Sequence, residues 1–190
     1  MGADSTYRIA GIAGSLRRGS LNRALLRAAQ ETAPARLRID IHDIAAVPLY
    51  NQDVEEQGVP TGVSALREAV RGADGLLIAT PEYNHGVPGV LKNTIDWLSR
   101  PPRASALDGK PAAILGASPG MTGTARAQTQ LRQAFGFTNT YAMVQPEILV
   151  ARAREKFDEH GRLTDERTRQ FLAAFLEAFA AWIDRVGAPR

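Results

Sequence analysis

Short apolar segments alternate along the chain with longer segments whose apolar residues recur every three or four positions. Most of the short segments lack polar alternation, which is typical of parallel strands buried on both faces, whereas Leu37–Ile44 alternates apolar and polar residues. The predicted strands are Arg8–Ala13, Leu37–Ile44, Ala73–Thr80, Lys110–Ala117 and Thr138–Val144, with Glu147–Val150 as a second candidate for the last position.

Helical spacing fills the intervals between these strands. Ser20 is a predicted N-cap, Gly72 follows a helix as a stop signal, and Pro88 suits a first turn, where its missing N–H costs nothing. The stretch Ala45–Pro60 contains two prolines and is predicted to be a loop. The predicted helices are Leu21–Ala33, Thr61–Arg71, Val87–Leu98, Gly123–Phe135 and a long final helix capped by Thr164.

This alternation predicts an α/β fold, a doubly wound five-stranded parallel sheet with helices on both faces, because parallel neighbours need right-handed crossover connections. The 190 residues, 44% of them hydrophobic, suffice for one core, so residues 1–190 are predicted to form a single domain. The sequence contains no cysteine, which excludes disulfides and thiolate-bound clusters. Any redox chemistry must therefore reside on a cofactor.

Charge and hydropathy argue against two classes of partner. The net charge is +3, and the basic residues are mostly arginines spread along the chain rather than gathered in a stripe. This spread predicts no nucleic-acid partner. No apolar stretch is long enough to span a bilayer and the N-terminus lacks a signal-peptide pattern, so we expect a cytoplasmic protein with no membrane partner.

In a doubly wound sheet the ligand binds beyond the carboxyl ends of the strands, where the strand order reverses, so three strand-to-helix loops form the candidate site. The first, Gly14–Asn22, is polar and leads into a helix N-terminus, where backbone N–H groups and the helix dipole favour an anion. It is predicted to bind phosphate, although a simple capped turn would also explain it. The candidate contacts are Ser15, Arg17, Ser20, Leu21 and Asn22.

The second loop opens the segment Pro81–Trp97, which reads PEYNHGVPGVLKNTIDW. This segment resembles the Pro-Glu-Tyr-Asn-x-x-x-Pro-Gly-x-Leu-Lys-Asn-x-Ile-Asp-Trp signature of the NADPH-dependent FMN reductase family, which includes quinone, chromate and azo-dye reductases. A rigid turn with exposed amides also suits a flavin ring, although a tyrosine that merely packs would fit the pattern too. The candidate cofactor contacts are Pro81, Glu82, Tyr83 and Asn84, whereas His85 is expected to be exposed or at an interface.

The third loop, Gly116–Gln128, is similar to the Ser-x-Gly-x-x-Gly-x-x-Arg segment of the same family. The resemblance implies that its backbone and serine line the edge of the flavin ring. The candidate contacts are Ser118, Pro119 and Gly120, and Arg126 is a candidate for a subunit interface, where it could pair with Glu147.

The segment Val47–Asp53 is similar to the Pro-Leu-Tyr-Asn stretch that precedes an acidic residue in many family members. We expect it to approach the flavin from a neighbouring subunit or to form a wall of the acceptor pocket. The alternative is an ordinary surface connection. Family members form dimers or tetramers, so a homodimer or homotetramer is expected.

The resemblance implies a flavodoxin-like fold that holds FMN and transfers reducing equivalents from NADPH or NADH, a transient donor, to a small-molecule acceptor. The acceptor would be a quinone, free flavin, azo compound or chromate. Because the cofactor carries the chemistry, no catalytic side chain and no metal site are expected, and one shared face predicts ping-pong kinetics. Two alternatives stay open, a non-catalytic flavodoxin-like electron carrier or flavin-binding protein and, ranked lower, a phosphate-ester enzyme.

Overall fold

Parallel strands in the order β2-β1-β3-β4-β5 form the central sheet of the computed structural model, which describes residues 6–187. The prediction of a flavodoxin-like parallel sheet is confirmed. The strand order reverses between β1 and β3, which places a switch point there. The strands are β1 (Tyr7–Ala13), β2 (Leu37–His42), β3 (Gly75–Ala79), β4 (Pro111–Ala117), β5 (Tyr141–Ala142) and β6 (Ile148–Val150).

The fifth position of the sheet is divided between two short strands, which lie within the two candidates predicted for that position, Thr138–Val144 and Glu147–Val150. β5 pairs with the start of β4 at Pro111, and β6 pairs with its end at Ala117. Pro146 lies between them and has no N–H to donate to a ladder, so the chain leaves the sheet and returns. Five strand positions therefore contain six strands.

Six helices connect or flank these strands in the described part of the chain: α1 (Leu21–Thr32), α2 (Gln52–Gln57), α3 (Thr61–Arg71), α4 (Gly89–Leu98), α5 (Ala125–Phe137) and α6 (Glu166–Val186). Ser20 caps α1 as predicted, since its hydroxyl accepts a hydrogen bond from the Arg23 amide at 3.2 Å. The prediction of a loop over Ala45–Pro60 was wrong at Gln52–Gln57, which form α2. Asn51 caps that helix by accepting from the Asp53 amide at 2.9 Å.

Three predicted helix starts were also displaced. Pro88 precedes α4 instead of lying in its first turn, because the preceding residues form a hairpin. α5 begins at Ala125, since Gly123 has a left-handed backbone, φ 59°. The cap of α6 is Asp165, whose carboxylate accepts from the Thr168 amide, whereas the Thr164 hydroxyl donates to the Lys156 carbonyl.

The sheet separates two apolar cores. Successive residues of β3 point to opposite faces, so that Leu77 packs with α1 and α6 while Leu76 and Ile78 pack with α3, α4 and α5. Both faces are thereby covered, as the uninterrupted apolar strands require. The architecture leaves the carboxyl ends of the strands as the rim where connecting loops gather.

Among the helices of residues 6–187, none combines the length and apolar character needed to cross a bilayer. The prediction that no signal peptide precedes the fold concerns residues 1–5, which lie outside the described part. The single-domain assignment stays a prediction.

Candidate functional site

The three predicted loops start side by side at one rim of the sheet. Ala13 at the end of β1 lies beside Ala79 of β3, which in turn lies beside Leu115 of β4. The Gly14 amide donates to the Ala79 carbonyl at 2.8 Å, and the Thr80 amide donates to the Leu115 carbonyl at 2.9 Å. Because neighbouring strands are about 4.8 Å apart, the loops beginning at residues 14, 80 and 118 are adjacent.

The first loop carries many unpaired backbone donors. Among the described residues, nothing accepts from the amides of Leu16 or of the run Arg18–Asn22. The Ser15 hydroxyl is buried, accepts one long hydrogen bond of 3.4 Å from the Arg17 amide, and donates to no described residue. The Arg17 side chain is exposed. These donors lie at and just before the N-terminus of α1, where the helix dipole also favours negative charge. The loop therefore has the donor set of an anion-binding site.

Asn22 fixes this loop to the third one. Its amide nitrogen donates to the Ala117 carbonyl and its amide oxygen accepts from the Ala117 N–H, both at 2.9 Å. The Asn22 side chain is buried and both ends of its amide are occupied. Its side chain thus positions the loop, and the Asn22 backbone N–H is the group left free for a ligand. The Leu21 side chain is half-buried against the core below.

The second loop is a tight two-residue hairpin. The backbone groups of Tyr83 and Gly86 exchange hydrogen bonds at 3.1 and 2.9 Å, and the two residues between them, Asn84 and His85, have φ of 50° and 62°. Two successive left-handed residues characterise a type I′ turn, which is sterically costly for non-glycine residues. Such strain often marks a functional loop. Tyr83 is 47% exposed, whereas Pro81 is buried.

Glu82 connects this hairpin to α5. Its carboxylate is almost buried and accepts from the N-terminal amides of Arg126 at 2.9 Å and Ala127 at 3.1 Å, with the Arg126 guanidinium 3.7 Å away. A carboxylate at a helix N-terminus satisfies orphan amides and complements the dipole. The Glu82 side chain is therefore engaged within the protein, and its backbone N–H points to no acceptor among the described residues.

Ser118 and Gly120 form a turn whose carbonyls are held by the segment after β6. The Gly120 amide donates to the Ser118 hydroxyl at 3.1 Å, and the amides of Arg152 and Ala153 donate to the carbonyls of Gly120 and Ser118. Pro119 and Gly120 are exposed, and the following amides at 121–124 have no described acceptor. This turn presents backbone donors to the rim.

Close backbone approach fixes the base of the third loop. A Cβ on Gly116 would lie 1.9 Å from the Thr124 hydroxyl and 2.5 Å from the Thr80 carbonyl oxygen, so only glycine fits between the second and third loops. Gly116 is therefore required for packing at the base of this loop.

Sequence reasoning did not identify the side chains that hold the segment Val47–Tyr50 on α4. Asn93 accepts from the Tyr50 amide and donates to the Pro48 carbonyl, both at 2.7 Å, and the Trp97 indole donates to the same carbonyl at 2.8 Å. The Asn and Trp of the signature were the available signal. This segment is locked, yet the Leu49 side chain at its tip is 83% exposed.

A cluster of charged residues also holds Tyr50 of this segment in place. The Glu55 carboxylate accepts from the Tyr50 hydroxyl and the Arg100 guanidinium, each at 3.1 Å, while the Arg67 guanidinium is 4.0 Å away. The hydrogen bond to Glu55 raises the pKa of Arg100, and burial raises the pKa of Tyr50. Burial lowers the pKa of Arg67, whose guanidinium donates to the Trp97 carbonyl.

His85, the second turn residue of the hairpin, lines an open concavity of about 360 Å³ together with Arg126 and Gln130. Within the chain, Arg126 pairs with Glu82, and Glu147 pairs with Arg132 at 3.1 Å. The two residues expected to meet across an interface thus each have a partner in their own chain.

Comparison with known proteins places this site in a family context. The family model described as NADPH-dependent FMN reductase matches residues 7–155. The chain is 48% identical over 179 residues to the NAD(P)H-dependent FMN reductase of Pseudomonas aeruginosa, covering 94% of this chain and 96% of that protein. It is 43% identical over 176 residues to the 2-hydroxy-1,4-benzoquinone reductase of a Burkholderia species, covering 93% and 96%.

A solved structure gives the same result. FerB of Paracoccus denitrificans, a flavoenzyme NAD(P)H:(acceptor) oxidoreductase, superposes with a TM-score of 0.89 at 38% identity, covering 96% of this chain and all of that one. The superposition covers nearly the entire chain, and the residues matched by the family model, 7–155, include all three rim loops.

Proposed function

The chain belongs to the NADPH-dependent FMN reductase family, and from that premise we propose that its three rim loops hold FMN while NADPH or NADH and a small acceptor use the exposed face in turn. As a member of the family, it is an NAD(P)H-dependent reductase. Quinones are the acceptor class we favour, because a relative 43% identical is a 2-hydroxy-1,4-benzoquinone reductase.

The observation that carries this proposal is the set of unpaired donors in the first loop. Free amides at Leu16 and Arg18–Asn22, the buried Ser15 hydroxyl and the exposed Arg17 side chain suit a phosphate dianion at a helix N-terminus. Ser20 keeps its capping role and contributes its backbone N–H. The donor set therefore fits the phosphate end of FMN.

The second and third loops are suited to the ring. We assign Tyr83 and Asn84 to its face and edge, with the backbone at Pro81–Glu82 and at Ser118–Gly120 supplying hydrogen bonds. Bound FMN supplies the two-electron chemistry, for which the protein needs no catalytic side chain of its own. The protein's contribution is orientation, because the I′ hairpin and the turn at Ser118 are held by hydrogen bonds within the chain.

A shared exposed face explains why donor and acceptor would alternate, which gives ping-pong kinetics. The rigid, exposed Leu49 supports a role for Val47–Tyr50 as a wall contributed to the site of a neighbouring subunit. The family resemblance, which implies dimers or tetramers, supports the same role. We therefore infer a homodimer or homotetramer.

Anaerobic spectroscopy of the FMN-loaded protein tests the proposal. The protein should be yellow, addition of NADPH or NADH alone should bleach the flavin, and a quinone should restore the colour. Initial rates measured against NADPH or NADH concentration, at several fixed quinone concentrations, should give parallel lines in a double-reciprocal plot. A protein that binds no FMN contradicts the proposal, and a yellow protein bleached only by a separate reductase would instead be an electron carrier.

A further inference from the structure

A second cavity lies outside the rim, between α1 and the end of β2. Its volume is about 270 Å³. One wall is a single face of α1, where Arg23, Arg27 and Gln30 recur at helical spacing. The other surfaces are formed by Ala13, Ile41, His42 and Asp43. None of these residues belongs to the predicted FMN contacts.

The two arginines of this cavity differ in their partners. The Arg23 guanidinium donates to the Ser15 carbonyl at 3.1 Å and to the Asp43 carboxylate at 3.0 Å, so its charge is matched. Arg27 has no hydrogen bond or ion pair with any described residue, and it is exposed beside Gly161. Because the Asp43 carboxylate is paired with Arg23, the Arg27 guanidinium has no counterion among the residues that line the cavity.

The remaining groups define what such a cation could accept. The Gln30 amide nitrogen is used by the Ile39 carbonyl at 2.7 Å, while the imidazole of His42 has no partner among residues 6–187 and can donate. The Ile41 side chain is 39% exposed on the floor and offers an apolar surface. The volume of this cavity is just below the usual range for ligand pockets. The cavity therefore suits one charged group and part of the small molecule that bears it.

We propose that this cavity binds the phosphomonoester group of a small molecule. Arg27 is the principal phosphate ligand, His42 is a second donor, and Ile41 contacts the rest of the small molecule. Arginine is suited to phosphate because its planar guanidinium forms paired charge-assisted hydrogen bonds. Two sources share this chemistry, the 2′-phosphate of NADPH and a separate phosphorylated small molecule. The first source rests on the proposed reductase function, whereas binding itself does not.

Calorimetric titration of the FMN-loaded protein tests the site, because FMN occupies the first loop and removes it as a competitor. The probes are inorganic phosphate and adenosine 2′-monophosphate. Arg27→Gln should weaken binding by about tenfold or more, the loss expected for a charge-assisted hydrogen bond. Arg38→Gln, at an exposed arginine on β2, is the matched control and should leave binding unchanged. Binding of neither probe, or equal binding by wild type and Arg27→Gln, overturns the proposal.

Steady-state kinetics then distinguishes the two sources. If the phosphate is that of NADPH, Arg27→Gln lowers kcat/KM for NADPH by about tenfold and leaves kcat/KM for NADH unchanged. If a separate molecule binds, adenosine 2′-monophosphate still binds in the presence of excess NADPH, and Arg27→Gln changes neither value. A colourless protein without NADH oxidation would refute the reductase function alone, and the comparison of wild type with Arg27→Gln would still decide the site, because the first loop is the same in both proteins.

Discussion

Two exposed segments near the rim, residues 16–19 and 47–50, differ in how their polar groups are satisfied. Among the described residues, nothing accepts from the amides of Leu16, Arg18 and Gly19 or from the Arg17 side chain, whereas the second segment has its Tyr50 amide and Pro48 carbonyl bonded to α4. The first exposes polar donors and the second exposes the apolar Leu49. The difference matches the roles proposed for the two segments, phosphate binding by the first and contact with a neighbouring subunit by the second.

The largest effect is expected from the anchor below the first segment. Asn22→Ala removes two buried hydrogen bonds and leaves the Ala117 N–H and carbonyl unpaired, which should cost roughly 2–4 kcal/mol of unfolding free energy. Thermal unfolding should shift down by roughly 5–15 °C. A shift within error of wild type would show that the first loop does not depend on the third.

The first segment itself should affect binding and not stability. Arg17→Ala should weaken FMN binding by about 1.5–3 kcal/mol, which corresponds to about 10–150-fold in Kd, because a charge-assisted hydrogen bond to phosphate is lost. Fluorescence titration with FMN measures this effect. Riboflavin, which lacks the phosphate, is the control ligand and should bind both proteins equally. An unchanged Kd for FMN would remove Arg17 from the site.

The second segment should show the reverse behaviour. Asn93→Ala removes the hydrogen bonds to the Tyr50 amide and the Pro48 carbonyl, which should cost about 1–2 kcal/mol of stability. Amide hydrogen exchange at Tyr50 should accelerate, while the riboflavin-to-FMN ratio of Kd values stays that of wild type. Accelerated exchange at residues 16–19 instead would contradict the independence of the two segments.

The smallest effect is expected in the third loop. Ser118→Ala removes the acceptor of the Gly120 amide in an exposed turn, so flavin affinity should change by about 0.5–1.5 kcal/mol, or the two-electron reduction potential by the equivalent of about 10–30 mV. Potentiometric titration of the FMN-loaded variant measures it. A change as large as that of Arg17→Ala would move the dominant contact from the phosphate to the ring.

Local sequence signals predicted the parts of the fold that depend on local energies. Ser20 before an amphipathic helix and the apolar run of β3 were sufficient for α1 and β3. α2 was missed because the two flanking prolines suggested a loop, although Asn51 followed by acidic residues is an N-cap signal. The division into β5 and β6 depends on pairing with opposite ends of β4, which a linear pattern does not contain.

The site follows the same rule. The resemblance selected the loops, and the sheet brings all three together at the rim. The resemblance did not distinguish side chains that would contact a ligand from side chains that hold the loops in place. Asn22 and Glu82 bond to residues 95 and 44 positions away, and contacts of that separation have no signature in the sequence.

Amide chemical shifts during an FMN titration test the central claim most directly. The account predicts that the largest changes fall in residues 16–22, 82–84 and 118–124. Binding that perturbs residues lining the α1–β2 cavity but leaves 16–22 unchanged would contradict it, since the phosphate would then lie outside the rim.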